Sequence, residues 1–162
     1  THVWFSDQTG KQVLRANRVS LKPTPGGEHS SGAGERPEPV INDLSTLQIK
    51  NNFQLSPKIV STYSSEGNSI HYDVKAAKAG GFRAPIIGGG MGVHFLMADL
   101  WETKRPASFN CDIYFRRPIF WDEEVAVGVD PSYRSLGLIK LPPANSSQAA
   151  RIGTEIKLID CP

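Results

Sequence analysis

The chain has 162 residues, 39% of them hydrophobic, with 18 Lys and Arg against 16 Asp and Glu and a net charge of +2. That length suffices for one ordinary domain with a real core and falls short of two full ones. The charge balance lacks the strong or clustered basic signal of a nucleic-acid binder. No apolar run nears the roughly 20 residues of a membrane span. A small-molecule substrate is the expected partner, with neither nucleic acid nor membrane.

Residues 1–21 read as a β-hairpin. Val3-Trp4-Phe5 and Val13 to Val19 are β-prone, and Asp7-Gln8-Thr9-Gly10 turns between them. A two-stranded hairpin alone is marginal in water, so it is expected to dock on the main body or on another subunit. The chain begins without Met and in mid-strand pattern, which is expected of a fragment or a processed product. It also lacks the basic-then-apolar plan of a signal peptide.

Residues 22–46 change character. Pro23, Pro25, Pro37 and Pro39 alternate with Gly26, Gly27, Gly32 and Gly34. Such a composition buries too little apolar surface to offset chain entropy and predicts a flexible linker. Residues 47–162 then form the main domain. Leu47 to Phe53 is ambiguous between helix and strand, and Lys58 to Tyr63 reads as a strand or its approach to a loop.

A polar cluster follows. Glu66, Asn68 and His71 put a carboxylate, an amide and an imidazole within a few residues. Asp73 is placed to cap a short helix over 74–79, which Gly80-Gly81 stops. Pro85 keeps 82–87 extended. The run Gly88-Gly89-Gly90 opens the strongest helix, residues 91–102, where Val93, Leu96, Met97, Leu100 and Trp101 share a face. His94 lies off that stripe and reads as structural, close to the glycines. An acid/base cluster beside a glycine-opened helix is the layout of a site that holds a carbonyl oxygen and moves protons. Taken singly, Glu66 is an ordinary loop carboxylate, Asn68 a turn residue, His71 a structural imidazole and the glycines a helix start. Only the combination carries the functional reading.

From Pro106 the period changes to two. Phe109, Cys111, Ile113 and Phe115 alternate with polar residues and predict a half-buried antiparallel strand. Val125, Val127 and Val129 mark the next, Ser135 to Leu141 the third, and Ile152, Thr154, Ile156 and Leu158 the fourth. One buried helix followed by a meander is an α+β design in which the sheet wraps the helix. Two cysteines, Cys111 and Cys161, make no disulfide framework, and an intracellular, cytoplasmic setting is expected. The C-terminal Ile159-Asp160-Cys161-Pro162 is not a peroxisomal Ser-Lys-Leu signal.

The segment Ser65-Glu66-Gly67-Asn68-Ser69-Ile70-His71-Tyr72-Asp73-Val74 resembles the Gly-Asp-x-Asn-Pro-x-His-x-Asp-Pro signature of the MaoC-like, or type 2, enoyl-CoA hydratases of the hotdog fold. Gly81-Phe82, Pro85-Ile86, Gly88-Gly89 and Phe115-Arg116-Arg117-Pro118-Ile119 follow in family order. The resemblance covers roughly residues 58–160. It implies a hotdog domain, and it likens the hairpin to a reduced N-terminal hotdog unit. It also implies a lyase that hydrates or dehydrates a 2-enoyl or β-hydroxyacyl substrate, as a thioester on CoA or an acyl carrier. No metal or redox cofactor is implied.

Glu66 and His71 would share the proton transfers, Asn68 would hold water or the carboxylate, and the Gly88, Gly89 and Gly90 backbone would receive the oxyanion, with Gly89 as donor. Trp101, Phe109 and Tyr114 would line a substrate cavity. Lys75, Lys78, Arg83, Lys104 and Arg105 are candidate partners for a CoA phosphate. A homodimer is expected. Among the departures from the family, Glu66 stands for its Asp, Ser69 for its Pro and Gly88 for its His. The longer carboxylate leaves room for dehydration, isomerisation or cyclisation of a specialised polyketide-like metabolite, or for a non-catalytic binding subunit.

Overall fold

The computed structural model describes residues 1–19, 37–64 and 67–161. They fall into two compact units, Thr1–Pro37 and Glu38–Pro162. In the first, β1 (His2–Ser6) pairs antiparallel with β2 (Gln12–Asn17). The Asp7 carboxylate accepts from the N–H groups of Thr9 and Lys11 at 2.8 and 3.1 Å, and Gly10 takes φ 85°, so the expected turn closes the expected hairpin.

The second unit is a five-stranded antiparallel sheet in the order β3-β5-β6-β7-β4. Its strands are β3 (Gln48–Gln54), β4 (Asn110–Phe115), β5 (Glu124–Val129), β6 (Ser135–Lys140) and β7 (Arg151–Asp160). The four strands expected after Pro106 are all present, and the ambiguous 47–53 segment resolves as strand β3. Helix α3 (Gly89–Lys104) lies against the sheet, burying Met91, Leu96 and Leu100 among Val125, Val127, Leu136, Leu138 and Ile156. Gly92 packs close to β7, where an added Cβ would stand 3.0 Å from Thr154 Oγ1. Arg105, at φ 45°, ends the helix in the left-handed conformation before Pro106. Among the described residues, no helix is long and apolar enough to cross a membrane.

The outer face of the sheet is covered too, and this corrects the linker boundary. Residues 20–36 lie outside the described residues, but residues 38–47 are a docked arm. Ile41 is buried with Ala126, Ile139 and Ile152, and Leu44 and Leu47 pack beside it. Gly128 and Gly137 face each other in register and make the bed. A Cβ on Gly137 would come within 2.8 Å of Ile41 Cδ1, and one on Gly128 within 3.0 Å of Leu47 Cδ1. Glu155, only 1% exposed, accepts from the N–H groups of Val40 and Ile41 at 3.0 and 3.1 Å. Its charge is paired with Arg116, whose Nη2 donates to the Glu38 carbonyl at 2.7 Å. A buried carboxylate needs such compensation, and here it ties the arm to the sheet.

Residues 58–63, expected as strand, belong instead to helix α1 (Pro57–Ser64). Ser56 precedes Pro57 and accepts the Ile59 N–H on its hydroxyl at 3.3 Å, while Val60 N–H bonds the Ser56 carbonyl at 3.0 Å. A serine cap before a first-turn proline outweighs the β-branched content of the segment. Burial of Val60 in the main core completes the override.

Candidate functional site

The chain between α1 and α3 is a series of capped turns. The Asn68 side chain accepts from Ile70 N–H at 3.3 Å and caps the 3-10 turn Ser69–His71. Asp73 then accepts from Lys75 and Ala76 N–H at 2.6 and 3.0 Å, capping α2 (Val74–Ala79) as expected. Gly81, at φ 83°, turns the chain into the extended segment that leads to α3. That segment is held on both sides. Ile86 N–H bonds the Ile70 carbonyl at 3.3 Å, Ile87 N–H bonds the Ile119 carbonyl at 2.8 Å, and Trp121 N–H bonds the Pro85 carbonyl at 3.0 Å.

The Ile86 carbonyl, fixed in this way, decides the state of His71. It lies 2.8 Å from His71 Nδ1. A carbonyl only accepts, so Nδ1 carries the proton and, in the neutral ring, Nε2 is left with its lone pair. Nε2 faces the start of α3: an ideal Cβ built on Gly88 would stand 3.5 Å from it. Gly88 caps α3 with no side-chain hydrogen bond, and among the described residues none reaches the N–H groups of Gly89 or Gly90. A half-buried base thus adjoins two open donors at the positive end of a helix.

His71 and Gly89 border a cavity of about 320 Å³. Its polar wall is His71, Gly89, Thr154, Arg116 and Arg117, and its apolar wall includes Phe82 and Phe115. Phe115 lies over Gly89, where an added Cβ would come within 2.8 Å of its ring. Arg117 and Arg116 N–H both bond the Gly153 carbonyl, at 3.1 and 2.8 Å, which shapes this corner of β4 and β7.

One side of the site is braced by charge. Arg83 meets Asp122 through two hydrogen bonds of 2.8 Å and lies 4.0 Å from the Phe120 ring centroid. The guanidinium holds the Asp122 carboxyl below its ordinary value, and the carboxylate raises Arg83 in turn. Arg83 is thereby committed to the scaffold rather than to a phosphate. Burial raises the Cys111 thiol above its ordinary value, with a smaller push from Asp112, as befits an inert side chain against the core. Among the described residues, no group of three or more His, Cys, Asp or Glu side chains could hold a metal ion.

The structure brings together His71, Gly88 and Gly89 and leaves other candidates apart. Glu66 lies outside the described residues. Asn68 is placed as a turn cap, with its carbonyl oxygen spent on Ile70. Gly90 faces Tyr63 rather than His71. Trp101 is exposed near the far end of α3 and packs edge-on to Phe109, at 5.9 Å between ring centroids. Tyr114 lies under the Arg116 guanidinium at 4.6 Å. Neither Trp101, Phe109 nor Tyr114 lines the His71 cavity. Thr154 and Arg117 do, and the sequence marked them only as an alternating strand position and part of a matched turn.

The chain is similar to the MaoC-like dehydratase from Phytophthora capsici, with 17% identity and a TM-score of 0.55 over 97% of this chain and 55% of that one. The fold is the hotdog of the MaoC-like dehydratases. Full-length peroxisomal multifunctional enzyme type 2 from Drosophila melanogaster is also similar, at 19% identity and TM-score 0.56 over 94% of this chain and 28% of that enzyme. The R-hydratase PhaJ1 from Pseudomonas aeruginosa aligns at 13% identity and TM-score 0.50 over 70% of this chain and 78% of its own. This hotdog chain therefore spans about half the length of the Phytophthora protein and less of the Drosophila one. No protein-family model and no curated protein matches the sequence.

Proposed function

We propose that the chain carries the acid/base site of a MaoC-like hydratase or dehydratase acting on a 2-enoyl or β-hydroxyacyl thioester. The observation that carries this is His71, with Nδ1 fixed on the Ile86 carbonyl and Nε2 turned to the uncapped start of α3. Adding water across a double bond conjugated to a carbonyl requires deprotonation of the water, protonation at the carbon next to the carbonyl, and stabilisation of the enolate-like oxygen. His71 Nε2 takes the water proton. The Gly89 and Gly90 N–H groups receive the oxygen. Glu66, by its place in the signature, supplies the other proton. Asn68 serves by holding the turn that carries His71.

The cavity is shaped for the acyl portion, apolar along Phe82 and Phe115 and polar at His71 and Thr154. Among the described residues, edge strand β4 pairs only with β7 and leaves Ile113 and Phe115 exposed, which supports a second hotdog unit, as a dimer partner, beside this site. Turnover of crotonyl-CoA by the full chain tests the proposal. Glu66→Gln is expected to lower the rate by roughly 10²- to 10⁴-fold. An unaltered chain that hydrates no 2-enoyl thioester, or a Glu66→Gln chain of equal rate, would refute it.

A further inference from the structure

The His71 site leaves one polar pair unused. Tyr63, near the end of α1, and His94, in the second turn of α3, meet with Tyr63 Oη 3.3 Å from His94 Nδ1 and their rings edge-on at 5.9 Å. The pair stands at the same helix start as His71. An ideal Cβ on Gly90 would lie 4.0 Å from Tyr63 Oη, as one on Gly88 would lie 3.5 Å from His71 Nε2 and one on Gly89 against Phe115. Successive glycines thus face His71, Phe115 and Tyr63 in turn. Gly88, the extended N-cap residue, faces His71 and Gly90, in the first turn, faces Tyr63, so both side chains border the helix start. Gly90 and His94 are four residues apart and share a helix face, which brings the imidazole to the hydroxyl.

We propose that Tyr63, oriented by His94, donates a hydrogen bond to the substrate's carbonyl oxygen alongside the Gly89 and Gly90 N–H groups. This rests on the acyl-thioester reading of the site and adds a side-chain donor to its oxyanion hole. A phenol has one proton. If Tyr63 gave it to His94, none would remain for the substrate. With His94 protonated at Nδ1, the imidazole donates to Oη and the phenolic proton turns to the oxygen held at the helix start. The phenol keeps that proton throughout, and the charge it meets is the enolate oxygen formed as water, deprotonated by His71, adds, and discharged when Glu66 protonates the carbon next to the carbonyl. His94 touches no substrate and is a positioning residue.

Acetoacetyl-CoA tests this without turnover, since a thioester enolate bound by oxyanion donors is read directly by its ultraviolet absorbance. With the full chain, Tyr63→Phe is expected to weaken enolate binding roughly 10- to 100-fold, the worth of a hydrogen bond to a charged oxygen. His94→Leu should do the same, while His94→Asn, which keeps an N–H donor close to the Nδ1 position, should bind within about threefold of the unaltered chain. Nitrogen-15 shifts of His94 in the complex should report the Nδ1-protonated form. Equal binding by Tyr63→Phe, or a His94 protonated only at Nε2, overturns the assignment while leaving the His71 site standing. An unaltered chain that binds no thioester overturns the acyl-thioester reading and this assignment with it.

Discussion

Strand β5 is buried along Val125–Val129 on both faces, whereas β4, at the edge of the same sheet, leaves Ile113 and Phe115 exposed, the latter at 61%. The difference comes from what lies over each strand. Leu96 and Leu100 of α3 cover one side of the central strands, and Ile41 and Leu47 of the arm cover the other. The end of β4 pairs with β7 and turns Phe115 to the glycine-rich start of α3, where Gly89 has no side chain to cover it. One end of the helix is spent on stability and the other is left open beside His71. The same three glycines that weaken the packing expose the donors the proposed chemistry uses.

Removing the arm's anchor should be the severest blow to the closed side. Glu155→Ala would leave Arg116 without its buried partner and the Val40 and Ile41 N–H groups unsatisfied. The expected loss is about 3–5 kcal/mol, measured as a lowered urea midpoint. An unchanged midpoint would mean that the arm contributes nothing. Gly137→Ala should cost less, about 1–3 kcal/mol, because its methyl would press on Ile41 and Ile152 at 2.8 Å. The same substitution at Gly10, in the hairpin turn at φ 85°, meets no neighbouring atom, so backbone strain alone opposes it.

The Arg83–Asp122 brace should matter less again, since both side chains are about half exposed. Its worth is about 0.2–1 kcal/mol. Arg83 holds the folded-state Asp122 carboxyl below its ordinary 3.8. The contribution is therefore full above that value and is lost as pH falls through the lower, folded-state value. Acid titration of the urea midpoint should show a small step below pH 3.8 that vanishes in Arg83→Ala. A step of the same size in that variant would assign it to other carboxylates. Phe115→Ala should have the smallest effect on the stability of the single hotdog unit, within about 0.5 kcal/mol for the monomer, because the ring is exposed there. A loss as large as that of Gly137→Ala would erase the contrast between the two sides.

The sheet and its helix were legible because their periods are plain. Val125, Val127 and Val129 alternate, and the helix shows a continuous apolar face from Val93 to Trp101. The arm was not, because Ile41, Leu44 and Leu47 sit in a Pro- and Ser-rich stretch and their partners are far along the chain, Glu155 lying 114 residues beyond Ile41. Helix α1 was misjudged because Ile59, Val60 and Thr62 are β-prone, although Ser56-Pro57 carries a helix-start signal. At the site, the order of His71 and the glycines was readable. The carbonyl that fixes the His71 tautomer belongs to Ile86, fifteen residues on, and carries no side-chain signal at all. The aromatic residues Trp101, Phe109 and Tyr114 were grouped by type, but the first two pack at the far end of α3 and the third under Arg116.

The central claim is that the open end of this sheet carries proton chemistry at His71. It is tested most directly by crotonyl-CoA hydration measured for the unaltered chain and for His71→Ala, together with the urea midpoint of each. The predicted result is a rate lower by roughly 10²- to 10⁴-fold, with stability changed by less than about 1.5 kcal/mol for the lost bond to Ile86. Equal rates in the two proteins would contradict it, as would a loss of rate fully explained by unfolding.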